Sequence, residues 1–247
     1  MNAGIGSYYT EQQTICLQIL LHYTGDKEQI HQLRVAIKKI RAVLKLLGQL
    51  DRNFNYKATY KPYRQIFKSA APIREEQLLQ ECLTKLNIED RLRNTETLKK
   101  LNGRFEHKIE LYAKQIEGKQ LQLNDNVAIS SKAIAQYCNK IFKKSGKRWK
   151  RAKTDKDYHK IRKGLKELIY SLQLLCKDNR KDVLQTKEMK QAEKLQNALG
   201  DWHDNIMLKA KLKTVKTLFL SAFSRELNGK IRQQKRAVKQ SGKKLFA

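Results

Sequence analysis

Two strings of residues about half a chain apart repeat the same chemistry in the same register. His31, Arg34 and Lys38 hold positions 0, 3 and 7 of the string from His31 to Leu44, and His159, Arg162 and Lys166 hold the same positions in the string from His159 to Leu172. On an α-helix advancing about 100° per residue, those offsets bring the three side chains within about 60° of one another. Arg offers a planar fork that grips phosphate oxygens in pairs, and Lys supplies a compact charge. His adds a donor and gains charge beside an anion. A merely solvated helix face tolerates Lys, Glu, Gln or Ser interchangeably, so recurrence of the types in register points to a duplicated anion-binding surface.

The first stripe is the longer. Arg34, Lys38, Arg41 and Lys45 all fall within about 80° of His31, while Leu33, Ile37, Ile40 and Leu44 centre about 130° away. At 1.5 Å rise per residue, successive cations stand about 4.5 to 6 Å apart along the axis, a ladder able to follow neighbouring phosphates. Lys39 lies beside this stripe, and Lys163 beside the second, which ends at Lys166. The anion is therefore expected to lean on the first stripe. His31 and His159 open the basic faces, opposite the apolar ones. Neither has carboxylate or Cys neighbours at ligand spacing, so phosphate contact is preferred over metal binding or core burial.

A second pair of segments recurs in the same order: residues 71 to 79 align with 200 to 208, at an offset of 129 against 128 for the first pair. Here Arg74 matches His203 and Glu75 matches Asp204. With Pro72 and Gly200 read as helix breakers, the two acidic residues are candidate helix caps, and Arg74 and His203 candidate extensions of the anion site.

These side chains need elements to hold them. Only 2 prolines and 11 glycines occur in 247 residues, which removes the punctuation of all-β and α/β folds. Apolar residues recur at three- and four-residue steps, and an all-α fold follows. Helices are expected at 9 to 23, 27 to 48, 55 to 69, 74 to 92 and 94 to 117, then at 126 to 144, 155 to 177, 181 to 199, 203 to 226 and 228 to 243. The glycine and N-cap cluster from Glu117 to Asn126 separates them, giving two halves, 1–123 and 124–247.

Lys and Arg number 53 against 24 Asp and Glu, a formal charge of +29. Such an excess opposes compactness by self-repulsion and is expected where a polyanion offsets it; nucleic acid, polyphosphate and acidic membrane are the candidates. The scattered cysteines, Cys16, Cys82, Cys138 and Cys176, form no Cys-x-x-Cys pair and read as buried thiols in a reducing cytoplasm. The apolar stretch from Ile15 to Tyr23 is short, broken by Gln18 and preceded by no basic region, so neither signal peptide nor membrane anchor is expected.

Two further basic stretches stand outside the repeat. Lys143, Lys144, Lys147, Arg148, Lys150, Arg151 and Lys153 surround Trp149, which reads equally as a base-stacking residue or as packing. The run from Lys230 to Lys244 reads as a solvated helix face adding non-specific attraction.

The strings His-x-Leu-Arg-Val-x-x-Lys-Lys-x-Arg at 31 to 41 and His-x-Ile-Arg-Lys-x-x-Lys-x-Leu-x-Tyr at 159 to 170, with the Leu199-Gly200-Asp201-x-x-Asp204 turn, resemble the CHAD family, the conserved histidine α-helical domain. The resemblance covers essentially the whole chain. It implies two pseudo-symmetric helical bundles packed around a basic central cavity or groove that binds inorganic polyphosphate, and association with polyphosphate granules. Carried onto this sequence, the first motif falls on His31, Arg34, Lys38, Lys39 and Arg41, and the second on His159, Arg162, Lys163 and Lys166. Ile169 replaces the Arg usual before the Tyr, Gln173 stands opposite Lys45 across the repeat, and Glu75 replaces the usual Asp.

The expected function is non-catalytic polyphosphate binding, in the cytoplasm, without cofactor, metal or membrane partner. Nucleic-acid binding is the alternative. An enzyme is not expected: the sequence shows neither a Glu-x-Glu-x-Lys motif, nor a Walker A loop, nor clustered carboxylates for Mg²⁺.

Overall fold

The computed structural model describes residues 2–85, 95–119, 121, 129–176, 187–212 and 220–246. Among them every regular element is helical, as the three- and four-residue apolar spacing requires. In order these are α1 (Asn2–Leu21), α2 (Lys27–Leu50), α3 (Tyr56–Lys85), α4 (Thr95–Glu106), α5 (Ile109–Ile116), α6 (Ser131–Arg151), α7 (Asp155–Cys176), α8 (Lys187–Leu212) and α9 (Leu220–Phe246). They form two compact units, Met1–Ile129 and Ser130–Ala247. The boundary expected between residues 123 and 124 lies outside the described residues.

The first unit is built on α2, which packs against α1 and α3. Asp26 fixes where α2 begins: its carboxylate accepts from the Glu28 and Gln29 amides at 2.8 and 3.2 Å, satisfying donors that the helix leaves open. The chain turns into this cap at Gly25, whose φ of +82° is the left-handed region that glycine tolerates. The apolar face of α2, with Ile30, Leu33, Ile37, Ile40, Leu44 and Leu47, is fully buried. Tyr63, Ile66, Ala70 and Ile73 of α3 are likewise buried, and a hydrogen bond of 2.7 Å between the hydroxyls of Tyr9 and Tyr63 ties α1 to α3.

In the second unit α6 packs on α7, α7 on α8, α8 on α9, and α9 back on α6. Ser130 caps α6 by accepting from the Ala133 amide at 3.1 Å. Thr154 and Asp157 form a reciprocal cap at the start of α7. The Asp157 carboxylate accepts from the Thr154 amide at 3.0 Å, and the Asp157 amide donates to the Thr154 hydroxyl at 3.3 Å. The α6–α9 crossing is aromatic: Trp149 and Phe142 both meet Phe246, and Trp149 crosses Gly242 so closely that a Cβ there would lie 2.0 Å from the indole. Trp149 is thus a packing residue, and the base-stacking reading falls.

Pro72 and Gly200 do not break helices. α3 runs through both Pro62 and Pro72, fusing the helices expected at 55 to 69 and 74 to 92, and α8 runs through Gly200. An interior proline costs about 3 kcal/mol and an interior glycine about 1 kcal/mol. In α3 the buried row from Tyr63 to Ile73 outweighs that cost. Glu75 and Asp204 therefore stand inside helices, and the capping role expected of them is overturned. Elsewhere the expected helix at 94 to 117 is divided by a turn at His107 and Lys108, α1 starts at Asn2 rather than at residue 9, and α9 already runs from Leu220.

Candidate polyanion-binding site

In the first unit the basic face of α2 meets α3. Arg34 lies over the Phe67 ring, its Cζ 3.9 Å from the ring centroid, and Nη1 donates to the Phe67 carbonyl at 2.7 Å. Pro72 supplies no amide for the carbonyl of Lys68, the residue after Phe67. Burial lowers the Arg34 guanidinium to about 10, with Glu75 opposing the shift and Arg74 adding to it, so the group stays cationic at neutral pH.

Farther along the stripe, Lys38 Nζ lies 5.9 Å from the Phe67 centroid, and the Arg41 guanidinium lies 5.7 Å from that of Tyr60. Arg41 Nε is buried and finds no hydrogen-bond partner among the described residues. Burial raises the Tyr60 phenol against the pull of Arg41, Arg64 and Arg34. Arg74, partly buried, faces Glu81 at 3.5 Å, and Glu81 also takes Lys27 at 2.7 Å. His31 is exposed, whereas Lys39 and Lys45 are partly so.

In the second unit α7 meets α8. The imidazoles of His159 and His203 lie face to tilted face, with centroids 4.6 Å apart and planes at 38°. Burial pushes His159 down to about 4, helped by His203, Lys163, Arg162 and Lys166. Burial also lowers His203, as do Arg162 and Lys166, against Asp204 and Asp155. Both imidazoles are therefore neutral at pH 7. Arg162 lies along Gly200: a Cβ at that position would sit 3.2 Å from Nη2. Arg162 Nε and His159 Nδ1 are buried with no hydrogen-bond partner among the described residues. Lys163 is exposed and Lys166 partly so. Ile169 is buried in the core, which explains why this stripe stops at Lys166.

Each unit thus assembles its own share of the expected residues. The first sets Arg34 and Lys38 on α3 near Arg74, and the second gathers His159, Arg162, Lys163, Lys166 and His203. Glu75 acts as a carboxylate beside Arg34, and Asp204 beside the His203 imidazole. The stripes alone do not single out Phe67, Tyr60, Tyr170 and Gly200. Phe67 and Tyr60 belong to an apolar run that reads as core, and Tyr170 enters through Arg162, which draws down a phenol otherwise raised by burial. Gly200 is the seat of an arginine. Among the described residues no three His, Cys, Asp or Glu side chains converge as metal ligands. No described helix is long and apolar enough to cross a membrane.

Each seam holds an arginine side chain with a buried Nε that has no hydrogen-bond partner among the described residues and lysines beside it, and the second adds two imidazoles. Fold and site together define an all-helical protein with a basic arginine seam in each of two units. The family model for the CHAD domain matches residues 16–213, and the chain belongs to that family. Among solved structures it is similar to PptA from Streptomyces chartreusis, with a TM-score of 0.64 at 13% identity, over 99% of this chain and 96% of that one. No curated protein sequence matches the chain.

Proposed function

We propose that this protein binds inorganic polyphosphate without transforming it. The observation that carries the reading is the pair Arg34 and Arg162. They are equivalent in the repeat, and each is set against a second helix within a row of cations. A linear polyanion needs such a row, because each phosphate finds a cation about one helical turn from the last. Membership of the CHAD family supports the same ligand. The histidines of the second seam lie among the cations Arg162, Lys163 and Lys166, a setting that favours capture of an anion. The buried thiols of Cys16 and Cys138, pushed up to about 12 by burial, suit a reducing cytoplasm; the side chains of Cys82 and Cys176 lie outside the described residues. The same affinity would carry the protein to polyphosphate granules.

The test is competition at physiological salt. Long-chain polyphosphate bound to the protein should resist displacement by duplex DNA at equal phosphate concentration. Replacing Arg34 and Arg162 together by Gln should weaken polyphosphate binding by at least tenfold, with the helical circular-dichroism spectrum retained. Ready displacement by DNA, or unchanged affinity in the double variant, overturns the reading.

A further inference from the structure

Half of the protein's excess charge lies on two helices that carry none of the stripe residues. α6 holds eight Lys and Arg and no Asp or Glu; α9 holds eight against the single carboxylate of Glu226. Together they carry about half of the formal +29. Lys143, Lys147 and Arg151 repeat at four-residue steps on α6, and Arg236, Lys239 and Lys243 at three- and four-residue steps on α9. All six are exposed, and none makes an ion pair among the described residues.

These two rows are held together. The Gly242 backbone admits the Trp149 ring, and Phe246 packs 3.3 Å from where a Cβ on Gly146 would stand. The cations therefore flank one fixed helix crossing. Because α6, α7, α8 and α9 pack in ring order, this crossing lies across the bundle from the seam of α7 and α8 that holds His159 and Arg162. A ligand on one leaves the other open.

The character of the face selects its partner. A membrane surface would gain from an apolar anchor, but the large exposed hydrophobics among the described residues, Leu21, Leu111 and Met207, lie on α1, α5 and α8. Single strands would need an exposed aromatic platform, and Trp149 and Phe246 are spent on packing. What remains is an exposed surface in which cations far outnumber carboxylates, flanking a packed helix crossing. A duplex is too wide to enter a seam between helices, but it can lie on such a face. Each row runs about 12 Å or less along its helix, and a duplex presents one phosphate charge per about 1.7 Å of its axis, so several phosphates come within reach.

We propose that the α6–α9 face is a second polyanion surface, separate from the stripes, which docks the phosphate backbone of duplex nucleic acid without reading base sequence. This does not depend on the polyphosphate reading, which concerns other residues.

The experiment follows a fluorescent 24-base-pair duplex by anisotropy across a salt series, with polyphosphate binding measured in parallel. Replacing Lys143, Lys147, Lys239 and Lys243 by Gln should weaken duplex binding at least tenfold and flatten the slope of log affinity against log salt by about 3 to 4, at about 0.9 per lost phosphate contact. Its effect on polyphosphate binding should match that of a control of equal charge, with Lys99, Arg104, Lys108 and Lys114 changed to Gln. The control and the Arg34→Gln, Arg162→Gln variant should both keep duplex binding within about threefold of wild type. Lys→Arg changes at the four α6–α9 positions should preserve binding, separating lost charge from lost structure. An equal loss in the control would assign binding to overall charge, and an equal loss in the stripe variant would assign it to the stripes. Unchanged binding in the α6–α9 variant, a tenfold loss of polyphosphate in it, or tighter binding of phosphatidylserine vesicles than of duplex at equal anionic charge would also overturn the proposal.

Discussion

In the second basic seam the Arg162 side chain lies directly against Gly200. Alanine at 200 would raise helix propensity by about 1 kcal/mol, yet its methyl would stand 3.2 Å from Arg162 Nη2. The far end of an arginine can move, so the guanidinium should yield and the helix should hold. Gly200→Ala is therefore expected to melt at or slightly above the wild-type temperature while binding polyphosphate several-fold more weakly. Calorimetry and titration of the same variant would check both halves of this expectation, and loss of stability with affinity intact would contradict it. The histidine pair makes a second residue-scale prediction. His159 is held at about 4 against its usual 6.5, so between those pH values the unfolded chain binds the extra proton and the folded one does not. Stability without ligand should decline as pH falls from 6.5 towards 4. Burial is the largest cause of both shifts and persists in the complex, but a bound polyanion offsets the cations Arg162, Lys163 and Lys166 and adds to the pull of Asp155 and Asp204, so binding draws protons towards the pair. Polyphosphate affinity should accordingly rise between pH 7.5 and 5.5 at constant ionic strength. His159→Asn with His203→Asn should flatten that dependence, and a pH profile unchanged by the double substitution would refute the coupling.

At the scale of elements, the crossing of α6 and α9 depends on Gly242. A methyl there would lie 2.0 Å from Trp149, a ring already fixed by Tyr158 and Phe246. Overpacking of this kind costs about 1 to 3 kcal/mol, so Gly242→Ala should lower the melting temperature by several degrees. Trp149→Leu in the same chain should recover part of that loss, and a melting temperature equal to wild type in the single variant would show that the ring has room to move. Elements were legible in the sequence wherever apolar periodicity ran uninterrupted. The caps at Asp26 and Thr154 fix starts of α2 and α7 that the spacing already indicates. Reading Pro72 and Gly200 as breakers misleads, because a local breaker carries no information about the packing that overrides it. The stripes themselves were legible because a helix turns position into direction. Their seats were not: whether Phe67 serves the core or an arginine depends on which helix lies across from it, and only the fold decides that.

The two halves of the molecule repeat a plan without repeating its strength. At neutral pH the first unit offers Arg34, Lys38, Lys39, Arg41, Lys45 and Arg74. The second offers Arg162, Lys163 and Lys166 beside two neutral imidazoles, because Ile169 has gone into the core where Arg41 stands in the other copy. If each cation releases about one counterion on meeting a phosphate, by analogy with nucleic acid, the first unit should dominate the salt dependence of polyphosphate binding. Lys38→Gln with Lys45→Gln should therefore flatten the slope of log affinity against log salt by more than Lys163→Gln with Lys166→Gln, when both are measured at pH 7.5. Acidification supplies its own control. Once phosphate draws protons onto His159 and His203, the second unit gains up to two charges, so the wild-type slope should steepen at pH 5.5. With His159 and His203 both changed to Asn, that steepening should be lost. Equal slopes for the two lysine pairs at pH 7.5 would mean that the halves share the anion evenly despite their unequal stripes.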